Sequence, residues 1–292
     1  DRLAGEGMRL TDAYAPCPVC CPTRYALLSG TYPQRGPIHD HWDVWVTHIH
    51  PCLLQDHPAM AIKDPLTAAE VLKNAGYYNG AIGKWHVGLM NEDRDWNKKL
   101  APGPLEVGFD YFFGDASNRY KFYIENHYVV GINDTEERIE VDGNKLIIPD
   151  AVHKIDYDEN AAVLNEKACG FIREAANEGP FFLYYCPNNI HTPLTPGDNF
   201  AGTSEYGPLG DFIRELDWTV GEVVKTLKET GQLNNTLILF SSDNGGLINR
   251  EAMNAGHDSN DGLLGQKTDL WQGGGRVPFI ARWPGHVPAN TT

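Results

Sequence analysis

The sequence has no long apolar run. Hydrophobic residues make up 41% of its 292 positions, enough for a substantial core, but no stretch is long enough to cross a bilayer. It is also poor in positive charge: 24 Lys and Arg stand against 39 Asp and Glu, a net of −15. That balance argues against nucleic acid as a general partner, although a local pocket of Lys, Arg and His can still take an anion. The 6 cysteines, at positions 17, 20, 21, 52, 169 and 186, are too few and too dispersed for a small disulfide-built domain. Cys17-x-x-Cys20 has no second Cys-x-x-Cys after it, and Pro16, Pro18 and Pro22 crowd it, so zinc is the weaker reading of that pair. Neither an initiator Met nor a signal peptide opens the chain, and no obvious element closes it, the pattern expected of a fragment. Internal repeats and low-complexity tracts are missing too.

What is present alternates. Residues 67–75 read as a helix closed by Gly76, and 78–82 as an extended segment. Residues 161–176 have helical spacing and stop at Gly179-Pro180; 181–185 form a short apolar run suited to a buried strand. Residues 210–230 read as an amphipathic helix with Leu216, Val220, Val223, Val224 and Leu227 on one side, and 236–240 as another buried strand. This order predicts an α/β fold with a mostly parallel sheet sandwiched by helices. Residues 91–156 are mixed and polar, which predicts loops and hairpins above the sheet rather than a separate domain.

The most informative stretch is Cys20-Cys21-Pro22-Thr23-Arg24. A proline suits the first turn of a helix, and the N–H groups and dipole of that turn favour negative charge beside Cys20. Arg24 can reach the same spot. Cys20 is therefore a candidate reaction centre, the alternative being a buried or disulfide-bonded cysteine.

The pattern Cys-x-Pro-Thr-Arg resembles the signature of the sulfatase family. The likeness extends through Ala15-Pro-Cys-Pro-Val-Cys-Cys-Pro-Thr-Arg24 to Leu27-Leu-Ser-Gly-Thr-Tyr-Pro-Gln-Arg35. Gly76-Tyr-Tyr-Asn-Gly-Ala-Ile-Gly-Lys-Trp-His86 is similar to the family's second signature. Lys84 and His86 are two apart, so an extended backbone would point both to one side. Asn188-Asn-Ile-His191-Thr-Pro193 matches a histidine setting of the family, and Ser241-Ser-Asp243-Asn244-Gly-Gly246 its metal-binding Asp-Asn. Lys267, in Gly265-Gln-Lys267-Thr-Asp-Leu-Trp-Gln-Gly-Gly274, takes the place of a sulfate-contacting lysine; Ser117 matches a polar substrate contact. Three of these groups, Lys84 with His86, His191, and Asp243 with Asn244, follow proposed strands, where α/β sheets place their sites. Within the family, 190–196 and 210–218 look like arylsulfatases related to arylsulfatase A and N-acetylgalactosamine-6-sulfatase.

The resemblance implies an alkaline-phosphatase-like fold, here incomplete, with residues 1–292 as part of one catalytic domain and 91–156 as an insertion over the active site. It implies hydrolysis of an aryl or carbohydrate sulfate ester. It implies that Cys20 is oxidised to formylglycine by a maturation enzyme and that the hydrate attacks sulfur, that calcium, or alternatively magnesium, is held by Asp243 and Asn244, and that Arg24, Lys84, His86, His191 and Lys267 surround the reacting group. It also implies a secreted, periplasmic or lysosome-like home. The family's two further aspartate ligands lie in a strand that would precede Asp1. A phosphate- or phosphonate-ester hydrolase of the same fold, and a glycan-binding remnant without turnover, are the competing readings.

A second cluster, His39, His41, His48, His50 and His57 with Trp42 and Trp45, could bind a transition metal, line a sugar cleft (His39, His41 and Trp42 foremost), or be an exposed loop. Asn133, Asn234 and Asn290 each open a glycosylation triplet, a pattern common by chance.

Overall fold

A computed structural model describes residues 1–35, 66–89, 96–116, 122–141, 144–151 and 155–292. In chain order its elements are α1 (Arg2–Gly5), β1 (Met8–Leu10), α2 (Cys20–Ser29), α3 (Ala68–Asn74), β2 (Tyr78–Gly83), β3 (Tyr111–Gly114), β4 (Ile124–Glu125), β5 (Tyr128–Val129), β6 (Ile132–Val141), β7 (Asn144–Ala151), α4 (Asn160–Ala175), β8 (Phe181–Cys186), α5 (Gly207–Glu229), β9 (Ile238–Ser241), α6 (Arg250–Asn254), α7 (Gln272–Gly275) and β10 (Phe279–Arg282). Their described residues fall into two compact units, one of 1–27, 31–35 and 192–292, the other of 28–30 and 66–191. Among the described residues no helix is long and apolar enough to cross a membrane.

The unit built on 66–191 has a five-stranded sheet in the order β5-β4-β3-β2-β8. β2 runs parallel to both neighbours, with Gly80 opposite Tyr111 and Leu183. Alternation assigns its two faces. On one, Tyr78 stacks on Phe171 of α4 with ring centroids 5.2 Å apart. A Cβ on Gly80 would stand 2.6 Å from the Phe171 ring, so glycine lets that ring lie against the sheet. On the other, the Asn79 amide donates to the carbonyls of Ala69 in α3 at 2.7 Å and Gly108 at 2.9 Å. α3 starts on a capping box: Thr67 Oγ1 accepts the Glu70 N–H at 3.0 Å, and the Glu70 carboxylate accepts that of Thr67 at 2.8 Å. Helices thus cover both faces of β2, and Ile82, Phe113, Leu164, Ala168 and Phe171 form the buried core beneath α4.

The sheets are less parallel than the alternation predicts. β3–β4 and β4–β5 pair antiparallel, as does the hairpin β6–β7. Short connections of this kind can close only antiparallel pairs. Residues 111–129, expected among loops and hairpins, supply β3, β4 and β5 to the main sheet.

The other unit has a three-stranded antiparallel sheet, β1-β10-β9, with Met8 opposite Ala281 and Phe279 opposite Ser241. Its long helix is α5. Of the residues expected on the inner face, Leu227 is buried, while Leu216, Val220, Val223 and Val224 are half-buried. Several fully buried positions are polar instead: Asp211, Glu215, Thr219 and Thr226. Apolar periodicity found the helix but not these side chains, because Asp211 and Glu215 are accommodated by backbone N–H groups of the preceding loop.

Candidate functional site

Each unit gathers its own set of the residues singled out above. In the unit that holds 1–27, Cys20 is the first residue of α2 and is 1% exposed. Pro22 falls in the first turn, where no intrahelical N–H bond is required of it. Thr23 Oγ1 donates to the Cys17 carbonyl at 2.9 Å and fixes the chain's entry into the helix. One turn beyond Cys20, Arg24 sends Nε at 2.8 Å and Nη2 at 2.7 Å to a single oxygen, Oδ2 of Asp243. The side chains are 9% and 25% exposed, so this pair is screened less than a surface ion pair. Burial pushes the Cys17 thiol up to about 11, which keeps it protonated and a poor nucleophile at neutral pH. Alkylation of Cys17 by iodoacetamide, followed by peptide mass mapping, is expected to stay slow at pH 8 and to accelerate towards pH 11.

Asp243 and Asn244 lie just past the carboxyl end of β9. Asn244 donates its amide to the Gly245 carbonyl at 2.9 Å. Its Oδ1 is buried and has no hydrogen-bond partner among the described residues. Such an oxygen costs about 1–3 kcal/mol. A hard cation would satisfy it, and a carboxylate beside an amide oxygen is a donor set that fits calcium or magnesium. The Lys267 N–H donates to the Gly246 carbonyl at 3.0 Å, and the Thr268 N–H to the Pro18 carbonyl at 2.9 Å. Hydrogen bonds therefore join the Cys20, Asp243 and Lys267 segments directly. Glycine permits this: a Cβ on Gly245 would stand 1.9 Å from the Gly273 carbonyl oxygen.

In the other unit the loops beyond β2, β3 and β8 are laced together. The Lys84 N–H donates to the Cys186 carbonyl at 2.9 Å, that of Trp85 to Asp115 at 3.0 Å, and that of His86 to Ala116 at 3.0 Å. Lys84 is 4% and His86 2% exposed. Both lie past the end of β2, and His86 has φ 61°, so strand alternation does not set their directions as the spacing predicts. A left-handed histidine is strained, and the flanking backbone bonds hold it there. The Asn188 amide donates to Asp115 Oδ2 at 3.1 Å, and the His191 N–H donates to the Asn188 carbonyl at 2.8 Å. Asp115, 1% exposed, and Asn188 belong to this web and were not singled out from the sequence. The signal was available: each follows the carboxyl end of a strand, as Lys84 does. Ser117, His39, His41 and Trp42 lie outside the described residues, as do His48, His50, His57 and Trp45.

A Cβ on Gly114 would stand 1.9 Å from the Gly83 carbonyl oxygen. Gly114→Ala must therefore part β2 from β3 next to Lys84 and Asp115. We expect a loss of about 2–3 kcal/mol in denaturant unfolding, at the upper end of overpacking costs; an unchanged midpoint would contradict the close approach.

A family model described as Sulfatase matches residues 1–292. An N-acetylgalactosamine-6-O-sulfatase of Bacteroides thetaiotaomicron is 34% identical across 99% of this chain and 63% of its own length. The N-acetylgalactosamine-6-sulfatase of Homo sapiens is 30% identical across 99% of this chain and 52% of its own. Bovine arylsulfatase A is 32% identical across 100% and 55%. A solved structure from work on glycosaminoglycan metabolism by Bacteroides thetaiotaomicron superposes with a TM-score of 0.87 at 31% identity, covering 100% of this chain and 68% of that one. The chain thus spans about half to two thirds of the length of these relatives.

Proposed function

The chain belongs to the sulfatase family, and on that premise we propose that the protein hydrolyses the sulfate ester of a carbohydrate through a formylglycine made from Cys20. The observation that carries the reading is the Arg24–Asp243 ion pair, which ties the helix turn bearing Cys20 to the Asp-Asn pair after β9. Matured Cys20 supplies, as its hydrate, the attacking hydroxyl. Calcium or magnesium held by Asp243 and Asn244 would lower the cost of ionising that hydroxyl and polarise the sulfate oxygens. Arg24 fixes Asp243 and balances its charge, and Asp243 takes the proton of the attacking hydroxyl. Lys84, Lys267 and His191 bind the sulfate oxygens, and Lys267 or His191 protonates the departing alcohol. His86 takes the proton of the second hydroxyl as sulfate is expelled.

The names of the relatives favour an N-acetylgalactosamine-type 6-sulfate as the substrate class. A formylglycine-generating enzyme is the partner required, and a secreted, periplasmic or lysosome-like compartment is the setting. The test is an assay of the protein, co-produced with that enzyme, on an aryl sulfate, an aryl phosphate and a 6-sulfated N-acetylgalactosamine, with intact mass recorded. Maturation shows as the loss of H₂S and gain of one oxygen at Cys20. Hydrolysis of sulfate in preference to phosphate is expected. Preference for phosphate points to the phosphoester reading, and tight binding without turnover by matured protein to the glycan-binding one.

A further inference from the structure

A side chain that no sequence motif includes joins the segment of the Asp-Asn pair to that of Lys267. Asn260 lies in the loop between α6 and α7. Its Oδ1 accepts the Gly246 N–H at 2.9 Å, while Nδ2 donates to the Gly246 carbonyl at 3.1 Å and to the Gly265 carbonyl at 3.1 Å. Both amide hydrogens are therefore in use. The two bonds to Gly246 meet the N–H and C=O of one residue, as a paired strand does in an antiparallel ladder. Glycine permits the approach, since a Cβ on Gly246 would stand 2.8 Å from Asn260 Oδ1. Asn260 is itself held in place. Asp258 accepts the Asn260 N–H at 3.0 Å and the Gly262 N–H at 2.6 Å, and the Leu263 N–H donates to the Asn260 carbonyl at 3.0 Å.

The residues it bonds flank the site. Gly246 lies two positions after Asn244, and Gly265 two before Lys267. The Gly245 N–H donates to the Gly274 carbonyl at 2.7 Å, and the Lys267 N–H shares the Gly246 carbonyl with Asn260. All of these residues belong to one compact unit. We propose that Asn260 is a positioning residue: it fixes the turn that presents Asn244 Oδ1 against the turn that presents Lys267. This rests on the reading of Asp243 and Asn244 as cation ligands and of Lys267 as a sulfate contact. Asn260 is assigned no contact with the ion or the substrate; it acts through the backbone of Gly246 and Gly265.

The experiment compares Asn260→Ala with Asn249→Ala in the matured protein. Asn249 caps α6, its Oδ1 accepting the Ala252 N–H at 2.9 Å. The same change there removes a hydrogen bond close by but leaves those to Gly246 and Gly265 in place. In Asn260→Ala, the calcium concentration that gives half the maximal rise in melting temperature should increase by about 10–100-fold, the usual loss when a partner that orients a metal ligand is removed. On an aryl sulfate, kcat/KM should fall by a similar factor. Asn249→Ala should melt lower yet stay within about 2-fold of wild type in both measures, because it shares no partner with the site. Hydrogen exchange in Asn260→Ala should rise at the Gly246 N–H, which has lost its acceptor, and at the Lys267 N–H. Should alanine prevent folding, Asn260→Asp takes its place: the carboxylate can accept the Gly246 N–H but has no donor for Gly265. Exchange should then rise at Lys267 while Gly246 stays protected. Wild-type calcium response and kcat/KM in Asn260→Ala, an equal loss in Asn249→Ala, or unchanged exchange at Lys267 would overturn the proposal. A wild type whose melting ignores calcium would sink the metal reading instead, and exchange at the Lys267 N–H would still decide whether Asn260 holds the two turns together.

Discussion

Cys20→Ala and Cys20→Ser are both expected to lose sulfate-ester turnover, by about four orders of magnitude or more, as when the nucleophile of a covalent hydrolase is removed. Alanine offers no nucleophile. Serine is the sharper test, because it retains one hydroxyl. A sulfated serine has no second hydroxyl with which to expel the sulfate, whereas the hydrated aldehyde has one. Serine should therefore release at most one equivalent of alcohol per protein and then stop, which a burst experiment at high protein concentration would register. Neither change should unfold the chain. Cys20 is buried at the head of α2, serine is close to it in size, and the Arg24–Asp243 pair does not depend on the thiol. Thermal melting within a few degrees of wild type, together with lost turnover, separates a chemical effect from a structural one. Steady turnover by either variant at the wild-type rate would end the formylglycine mechanism.

Much of this was legible from local signals. The helix over 67–75 was marked by its closing Gly76; the capping box of Thr67 and Glu70 that starts it is seen in the structure. The aromatic run 181–185 read as a buried strand because strands covered on both sides lose their polar alternation; it is β8, parallel to β2, but it stands at the end of its sheet and is half-buried along its length, and β9 likewise alternates between half-buried and exposed residues. Cys20, Arg24 and Asp243 were visible as motifs, but the two hydrogen bonds to one carboxylate oxygen were not, since they join residues more than two hundred positions apart. The hidden features share a cause. Asp115, Glu215 and Asp211 bond to backbone or amide groups, and a backbone partner leaves no trace in residue type. The same holds for Gly114 and Gly245, whose need for glycine comes from a carbonyl approaching from another segment. Sequence patterns report what a side chain prefers, and tertiary approach decides what it meets.

The second large effect expected is at Asn244, and it should split stability from function. In metal-free protein the buried, unpartnered Oδ1 costs about 1–3 kcal/mol, while the bond from its amide to the Gly245 carbonyl returns about 0.5–1.5 kcal/mol. Asn244→Leu, which keeps the branching of the side chain but none of its polar atoms, removes both terms. In EDTA it should therefore raise stability by about 1 kcal/mol, or roughly 2–4 °C in melting temperature. Calcium should reverse the order. Wild type gains stability as the ion binds the folded form, whereas the leucine variant has lost an oxygen ligand and should show little calcium-dependent shift. Sulfatase turnover should fall by about 10³-fold in parallel, comparable to deletion of a group that stabilises transition-state charge. The melting curves decide the matter without reference to activity. A leucine variant that melts below wild type in EDTA and still gains stability from calcium would mean that the oxygen is satisfied some other way and that the ion binds elsewhere. The opposite pattern would show a polar group retained at a cost to folding because a cation completes it.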